Sequence, residues 1–216
     1  MISCNLNRVK RVLCVGAHSD DIEIGCGGTV LWMIEQSKSI EFYWLVLSSN
    51  PRRAKEAEHS ANAFLSARDK TVVVKSFRDG FFPYLGPPVK ECFEQLKKVF
   101  TPDVIFTHCR HDLHQDHRLV CELTWNTFRD HFILEYEIPK YDADLRSPNF
   151  FVPLSETHAR KKVKTLMRYF TTQQNKQWFS EELFYGLMRL RATEAASATR
   201  YAEAFYCRKV LLGTTN

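Results

Sequence analysis

Apolar residues along the chain fall into short, nearly continuous runs separated by amphipathic stretches. Arg11-Val12-Leu13-Cys14-Val15-Gly16 has the β-branched, two-faced apolar character of a strand buried in a parallel sheet, and it stops at Gly16. Gly25-Cys26-Gly27-Gly28-Thr29 predicts a flexible turn, and Thr29 to Ser37, with Leu31, Ile34 and Glu35, a helix after it. The alternation continues with a strand over Glu41 to Leu47, a helix over Arg52 to Ala67 and a strand over Thr71 to Lys75. A helix over Pro87 to Phe100 and a strand over Val104 to Phe106 come next. His117 to His131 follows as a helix, Ile133 to Ile138 as a strand ended by Pro139, and Tyr141 to Pro153 as a polar loop. Helices over His158 to Tyr169 and Trp178 to Leu190 and a strand over Phe205 to Leu212 complete the pattern. Strands alternating with helices of these lengths predict βαβ units, hence an α/β fold with a mainly parallel sheet.

At 216 residues and 44% hydrophobic, the chain can bury a full core and is too short for more than one domain, so residues 1–216 are expected to form a single unit. Its seven cysteines, Cys4 among them, are odd in number, form no Cys-x-x-Cys pair and lie partly inside apolar runs, which predicts reduced thiols and a cytoplasmic location. The polar N-terminus is unlike a signal peptide, and no apolar run approaches the ~20 residues of a membrane span. A formal charge of +5 could suit an anionic ligand, but the basic residues are scattered apart from Arg160-Lys161-Lys162 with Lys164, expected to be a solvated helix face. Without a basic stripe interleaved with aromatics, nucleic acid is not an expected partner.

The chemistry concentrates in two segments. Ala17-His18-Ser19-Asp20-Asp21 follows the first strand; His108 to His117, with four histidines, Asp112 and Asp116, follows the fourth. Ligands in open parallel sheets bind beyond the carboxyl ends of the strands, where both segments fall. Catalytic zinc takes three protein ligands and keeps one position open, so two histidines and one aspartate would suffice. His18 and Asp21, three apart on a tight loop, could reach one ion, leaving Asp20 as a spare carboxylate suited to general-base work. Any one of Asp20, Asp21 or Asp116 alone would more simply be a helix cap, but the pairing of the two clusters at two strand ends argues for a metal site. Gly25-x-Gly27-Gly28 lacks dinucleotide-binding spacing and follows acidic residues; Gly-x-Ser-x-Gly is absent.

These residues resemble the PIG-L (LmbE-like) family of zinc-dependent N-deacetylases. Ala17 through Thr29 is similar to its first motif with Ser19 in place of proline, and His114-Gln115-Asp116-His117 to its His-x-Asp-His motif. Weaker likenesses lie at Arg53 with Glu56, at Asp79-Gly80 and at Tyr201 to Phe205. The resemblance implies a Rossmann-like α/β sandwich and one zinc per chain held by His18, Asp21 and His117. It further implies Asp20 as base, His114 as the oxyanion stabiliser oriented by Asp116, and Arg53 and Asp79 as substrate contacts. Ser19 loses the fixed φ of proline, and Ser48-Ser49-Asn50-Pro51 replaces a more Gly-rich pocket loop, which touches specificity more than chemistry. The expected activity is removal of an N-acetyl group from a small-molecule substrate, an N-acetylglucosamine-type sugar or its conjugate. The rivals are hydrolysis of a non-sugar amide and a catalytically idle domain that keeps the metal as a clamp.

Overall fold

The computed structural model describes residues 6, 8–66 and 68–211; the first residues with Cys4, Ala67 at the expected end of the second helix and Leu212 at the expected end of the last strand lie outside them. Seven strands form one sheet: β1 Arg11–Gly16, β2 Glu41–Val46, β3 Lys70–Val74, β4 Val104–His108, β5 Phe132–Tyr136, β6 Phe150–Leu154 and β7 Tyr201–Tyr206. Their spatial order is β3-β2-β1-β4-β5-β7-β6, with the first five parallel and β7 antiparallel to both β5 and β6. The α/β fold with a mainly parallel sheet is thus observed. Tyr141 to Pro153, expected to be a polar loop, ends in β6. That strand has a partner on one side only, and its Pro153, which cannot donate to a ladder, is tolerated there.

The period-2 pattern of β1 explains the layers. Val12 and Cys14 point to one face, into the core covered by α1 (Asp21–Gln36), α2 (Pro51–Phe64), α5 (Glu156–Tyr169) and α6 (Glu181–Glu194). Leu13 and Val15 point to the other, under α3 (Gly86–Val99) and α4 (Gln115–Thr127). Both faces are covered, so β1 is buried throughout its apolar run. Because the chain steps outward from β1 to β2 and β3, then returns to lay β4 on the opposite side, the strand order reverses between β1 and β4, a crevice-forming switch point.

The Gly-rich stretch Gly25 to Thr29, expected to be a turn, is instead the interior of α1. Glycine is poor in a helix, and packing decides against that preference here. A Cβ on Gly25 would lie 2.2 Å from the Tyr136 ring, and one on Gly28 2.5 Å from Leu154. Gly25→Ala is expected to destabilise the fold by about 1–3 kcal/mol, because overpacking against a fully buried ring exceeds the ~1 kcal/mol of helix propensity gained. Denaturant midpoints would check this; a variant as stable as the parent would show that the helix can move off the sheet.

The basic cluster is also split. Arg160, Lys161 and Lys164 are exposed, but Lys162 is buried, its Nζ 2.6 Å from Glu203 and donating to Ile24 O at 2.6 Å. Glu203 in turn accepts from Gly28 N and Thr29 N at 2.8 and 2.6 Å, so a buried ion pair ties α1 to α5 and β7. The last strand starts earlier than expected, at Tyr201, which makes Glu203 a strand residue able to reach α1.

Candidate active site

The two chemistry-bearing segments meet at the switch point. Leu47 N donates to Gly16 O and Ser48 N to Ala17 O, extending the β1–β2 ladder past β1 and fixing the backbone that presents His18. Ser19, standing where the resemblance has proline, is buried and its hydroxyl donates to Ser49 Oγ at 3.2 Å. Asp21 Oδ2 accepts from His18 N at 2.6 Å, closing the loop onto itself. Asp20 occupies the N-cap of α1 yet makes no side-chain cap bond, so the plain capping role does not hold for it.

After β4 the chain turns through an Asx-type bond, with Asp112 Oδ1 accepting from His114 N at 2.8 Å. His114 then caps α4, its Nδ1 accepting from Asp116 N at 3.3 Å, which leaves the neutral ring's hydrogen on Nε2. His117, in the first turn of α4, faces back toward β1. The four histidines do not share a helix face. His108 ends β4 fully buried, His111 is exposed, and only His114 and His117 reach the pocket.

Three donor atoms converge. His18 Nδ1 lies 3.1 Å from His117 Nε2 and 3.4 Å from Asp21 Oδ2, and Asp21 Oδ2 lies 3.6 Å from His117 Nε2. Ligands ~2.0–2.1 Å from a tetrahedral ion are separated by about 3.3 Å, so this triangle matches the size of a zinc ligand set. The outer nitrogens are also held. His117 Nδ1 meets Asp112 Oδ2 at 2.8 Å, and His18 Nε2 meets Asp79 Oδ1 at 3.0 Å and Asp116 Oδ2 at 3.3 Å. A carboxylate on the far nitrogen is the usual support of a ligating imidazole. His108, Asp21 and His117 form a second candidate group, with His108 Nε2 3.1 Å from Asp21 Oδ2. His108 is sealed beneath the site, stacked on His117 with centroids 3.8 Å apart, whereas His18, Asp21 and His117 all line the pocket.

Asp116, expected to orient the His114 ring, does something else. Its Oδ2 accepts from Gly80 N at 2.7 Å and its Oδ1 from Phe82 N at 3.1 Å, and the imidazole it touches is that of His18. Gly80, at φ +76°, provides the left-handed turn that aims this amide and sets Asp79 beside His18. The support of His117 by Asp112, and of Asp112 by Lys140 at 3.0 Å, escaped the sequence reading. Asp112 lay inside the motif-rich segment, but only the fold brings Lys140 to it from beyond β5.

Asn50 caps α2 by accepting from Arg52 N and Arg53 N at 3.0 Å each, which points Arg53 inward. Arg53 Nη2 donates to Asp20 Oδ1 at 2.7 Å. Burial pushes the Asp20 carboxyl above the ordinary carboxylate range, and Arg53 only partly reverses this. Burial would raise Asp21 too, but the His117, His108 and His18 imidazoles hold it well below that range. His117 is pushed down to about 3 by burial and by His108. The His18 imidazole, which burial alone would depress, is carried well above its usual value by Asp21, Asp116 and Asp79. Burial and His18 lower His114, which favours its neutral ring with an N–H to donate. His18, Asp20, Asp21, Arg53, Asp79, His114 and His117 border one cavity of about 350 Å3, which brings every predicted site residue except Asp116 to its wall.

An open sheet with a His/Asp cluster at its switch point defines a Rossmann-like protein with a site shaped for a divalent metal. Residues 13–128, more than half of the chain, match the family described as PIG-L, GlcNAc-PI de-N-acetylase, and the chain belongs to that family. Among solved structures it is similar to a conserved protein from Thermus thermophilus (19% identity, 95% of this chain and 97% of that one, TM-score 0.73). It is similar also to the N,N'-diacetylchitobiose deacetylase of Pyrococcus horikoshii (21%, 91% and 83%, 0.66). A third likeness is to the 4-carboxy-2-hydroxymuconate hydratase GalB of Pseudomonas putida (17%, 96% and 99%, 0.74). At these identities the likeness is one of fold, and the fold hosts both a deacetylase and a hydratase.

Proposed function

We propose that the protein is a zinc-dependent hydrolase that removes the N-acetyl group from an N-acetylglucosamine-type sugar or its conjugate. The observation that carries this is the triangle of His18 Nδ1, Asp21 Oδ2 and His117 Nε2, 3.1 to 3.6 Å on a side and open to the pocket, with the Asp20 carboxylate, held by Arg53 through one oxygen, lining the same pocket. Family membership and the named deacetylase among the structural neighbours support it.

Zinc held by His18, Asp21 and His117 would supply Lewis acidity toward the acetyl carbonyl and a water of lowered pKa. Asp20, with Oδ1 fixed by Arg53, keeps Oδ2 to take the proton from the attacking water and hand it to the departing amine. His114, its tautomer set by the Asp116 amide, offers Nε2–H to the oxygen that gains charge in the tetrahedral intermediate. Arg53 and Asp79 border the same cavity and would meet sugar hydroxyls. Asp116 acts one step away, holding the Gly80 turn and the His18 ring.

Acetate release from a panel of N-acetyl sugars, nucleotide sugars, glycolipid head groups and non-sugar amides, with zinc and after chelation, tests this function. Turnover confined to non-sugar amides would move the substrate class; no turnover on any compound with the metal bound would favour the idle clamp. His114→Ala is expected to keep zinc and lower kcat by about a hundredfold, the scale of losing one oxyanion donor. Loss of metal would instead place His114 with His18 and His117 in the ligand set, a grouping the geometry also allows.

A further inference from the structure

The two places where the chain departs from the family pattern meet in space. Ser19 stands where the resemblance has proline, and Ser49 belongs to the segment that replaces a more Gly-rich loop. The backbone loops that follow β1 and β2 run side by side, joined by Leu47 N donating to Gly16 O at 3.0 Å and Ser48 N to Ala17 O at 2.8 Å. Beyond Ala17 the next rung is made by side chains: Ser19 Oγ donates to Ser49 Oγ at 3.2 Å, and Ser49 Oγ to Asn50 O at 3.0 Å. Ser19 is fully buried, so its hydroxyl depends on this partner rather than on solvent.

From Asn50 the path returns to its start. Asn50 Oδ1 accepts from Arg53 N at 3.0 Å, and Arg53 Nη2 donates to Asp20 Oδ1 at 2.7 Å, which closes a ring through Ser19, Ser49, Asn50, Arg53 and Asp20. Ser19 and Asp20 are the two residues between His18 and Asp21, so the ring fixes the stretch that spaces these two donors. A proline would hold that stretch from within, by its fixed φ; a serine leaves φ free and needs an outside hold. A glycine at position 49 would have no side chain to supply one. Among the described residues the Ser19 amide has no hydrogen-bond partner, so a proline there would forfeit no bond.

We infer that Ser19 and Ser49 form a clamp that does from outside what a proline does from within, and that Ser19 is a positioning residue for the donors His18 and Asp21 and for the Asp20 carboxylate. Each serine compensates for the other: without Ser49 the Ser19 hydroxyl has no anchor, and with a proline at 19 none is needed. The hold matters most in the metal-free protein, where no ion gathers the donors and a preformed loop lowers the cost of binding one. The inference rests on the zinc-dependent function proposed above and says how this chain keeps that site preformed.

Zinc affinity, read by competition with a chromophoric chelator, tests the clamp without recourse to turnover. Ser19→Ala and Ser49→Ala should each weaken zinc about tenfold, the lower end of what support of a metal's ligands is worth. The double variant should be no weaker than either, because both substitutions remove one contact. Ser19→Pro should bind zinc as tightly as the parent although it makes no bond to Ser49, and adding Ser49→Ala to it should change the affinity no further. A hydroxyl that served stability alone would lower the denaturant midpoint of the metal-free protein and leave zinc affinity where it was. That result, additive losses from the two alanines, or a Ser19→Pro variant as weak as Ser19→Ala would overturn the clamp. Acetate release from the same variants separates the two readings. Zinc affinities in the expected order with no turnover on any compound uphold the clamp and sink the deacetylase function; turnover with zinc affinity unmoved by either alanine does the reverse.

Discussion

His117→Ala is expected to lose zinc and activity together. His117 Nε2 completes the donor triangle, and its ring is packed between His108 and His114, with centroids 3.8 and 4.5 Å away. Removing a supporting residue around a metal typically costs ~10–100-fold in affinity, so removing a ligand should exceed that and leave the protein metal-free at micromolar zinc. The fold should survive, since Asp112 keeps its contact with Lys140 when its imidazole partner goes. Elemental analysis on a variant with an unchanged circular dichroism spectrum checks the outcome. Full zinc occupancy would remove His117 from the ligand set and return attention to His18 with Asp79 and Asp116, the remaining group of donors within reach of one another.

The strands were legible because a strand covered on both faces must be apolar at successive positions, and β1, β2 and β4 are. The placement of both motifs beyond strand ends was legible for the same reason. The start of α1 was not: three glycines in four residues signal a turn locally, and only the ring of Tyr136 and the side chains of Leu154 and Phe64, remote in sequence, explain why no Cβ can be there. Lys162 shows the same limit. A lysine among basic neighbours on a helix looks solvated until a buried glutamate arrives from the last strand.

Within the site, His18, Asp20, Asp21 and His117 come together, but the carboxylate expected to hold His114 holds His18 instead. Sequence proximity suggested that Asp116 would hold His114, two residues away. At this helix N-terminus His114 Nδ1 accepts from the Asp116 backbone amide, while the Asp116 carboxylate accepts from Gly80 N and Phe82 N instead. Gln173, Lys176 and Trp178 had no signature at all. Glu56 pins their segment over the pocket, a contact across more than a hundred residues.

Asp20→Asn is expected to retain zinc and lose roughly 10^2- to 10^4-fold in rate, the range for a positioned acid or base. Its neighbour Asp21 sits 3.4 and 3.6 Å from two imidazole nitrogens and must be a ligand if His18 and His117 are. Asp20 instead meets Arg53, makes no cap bond to α1 and lines the cavity, which leaves one oxygen for proton transfer. Asparagine preserves the shape and can still accept from Arg53 through its carbonyl oxygen, so the loop and the pocket should be unaltered while the basic oxygen is replaced by an amide. Burial also holds the carboxyl above its ordinary range, closer to the basicity that serves proton transfer near neutral pH. The paired variant Asp21→Asn should behave oppositely, with metal lost first. Single-turnover rates and zinc content measured on both separate the roles. Near-normal turnover in Asp20→Asn, or zinc loss matching that of His117→Ala, would mean that the two adjacent aspartates have exchanged places.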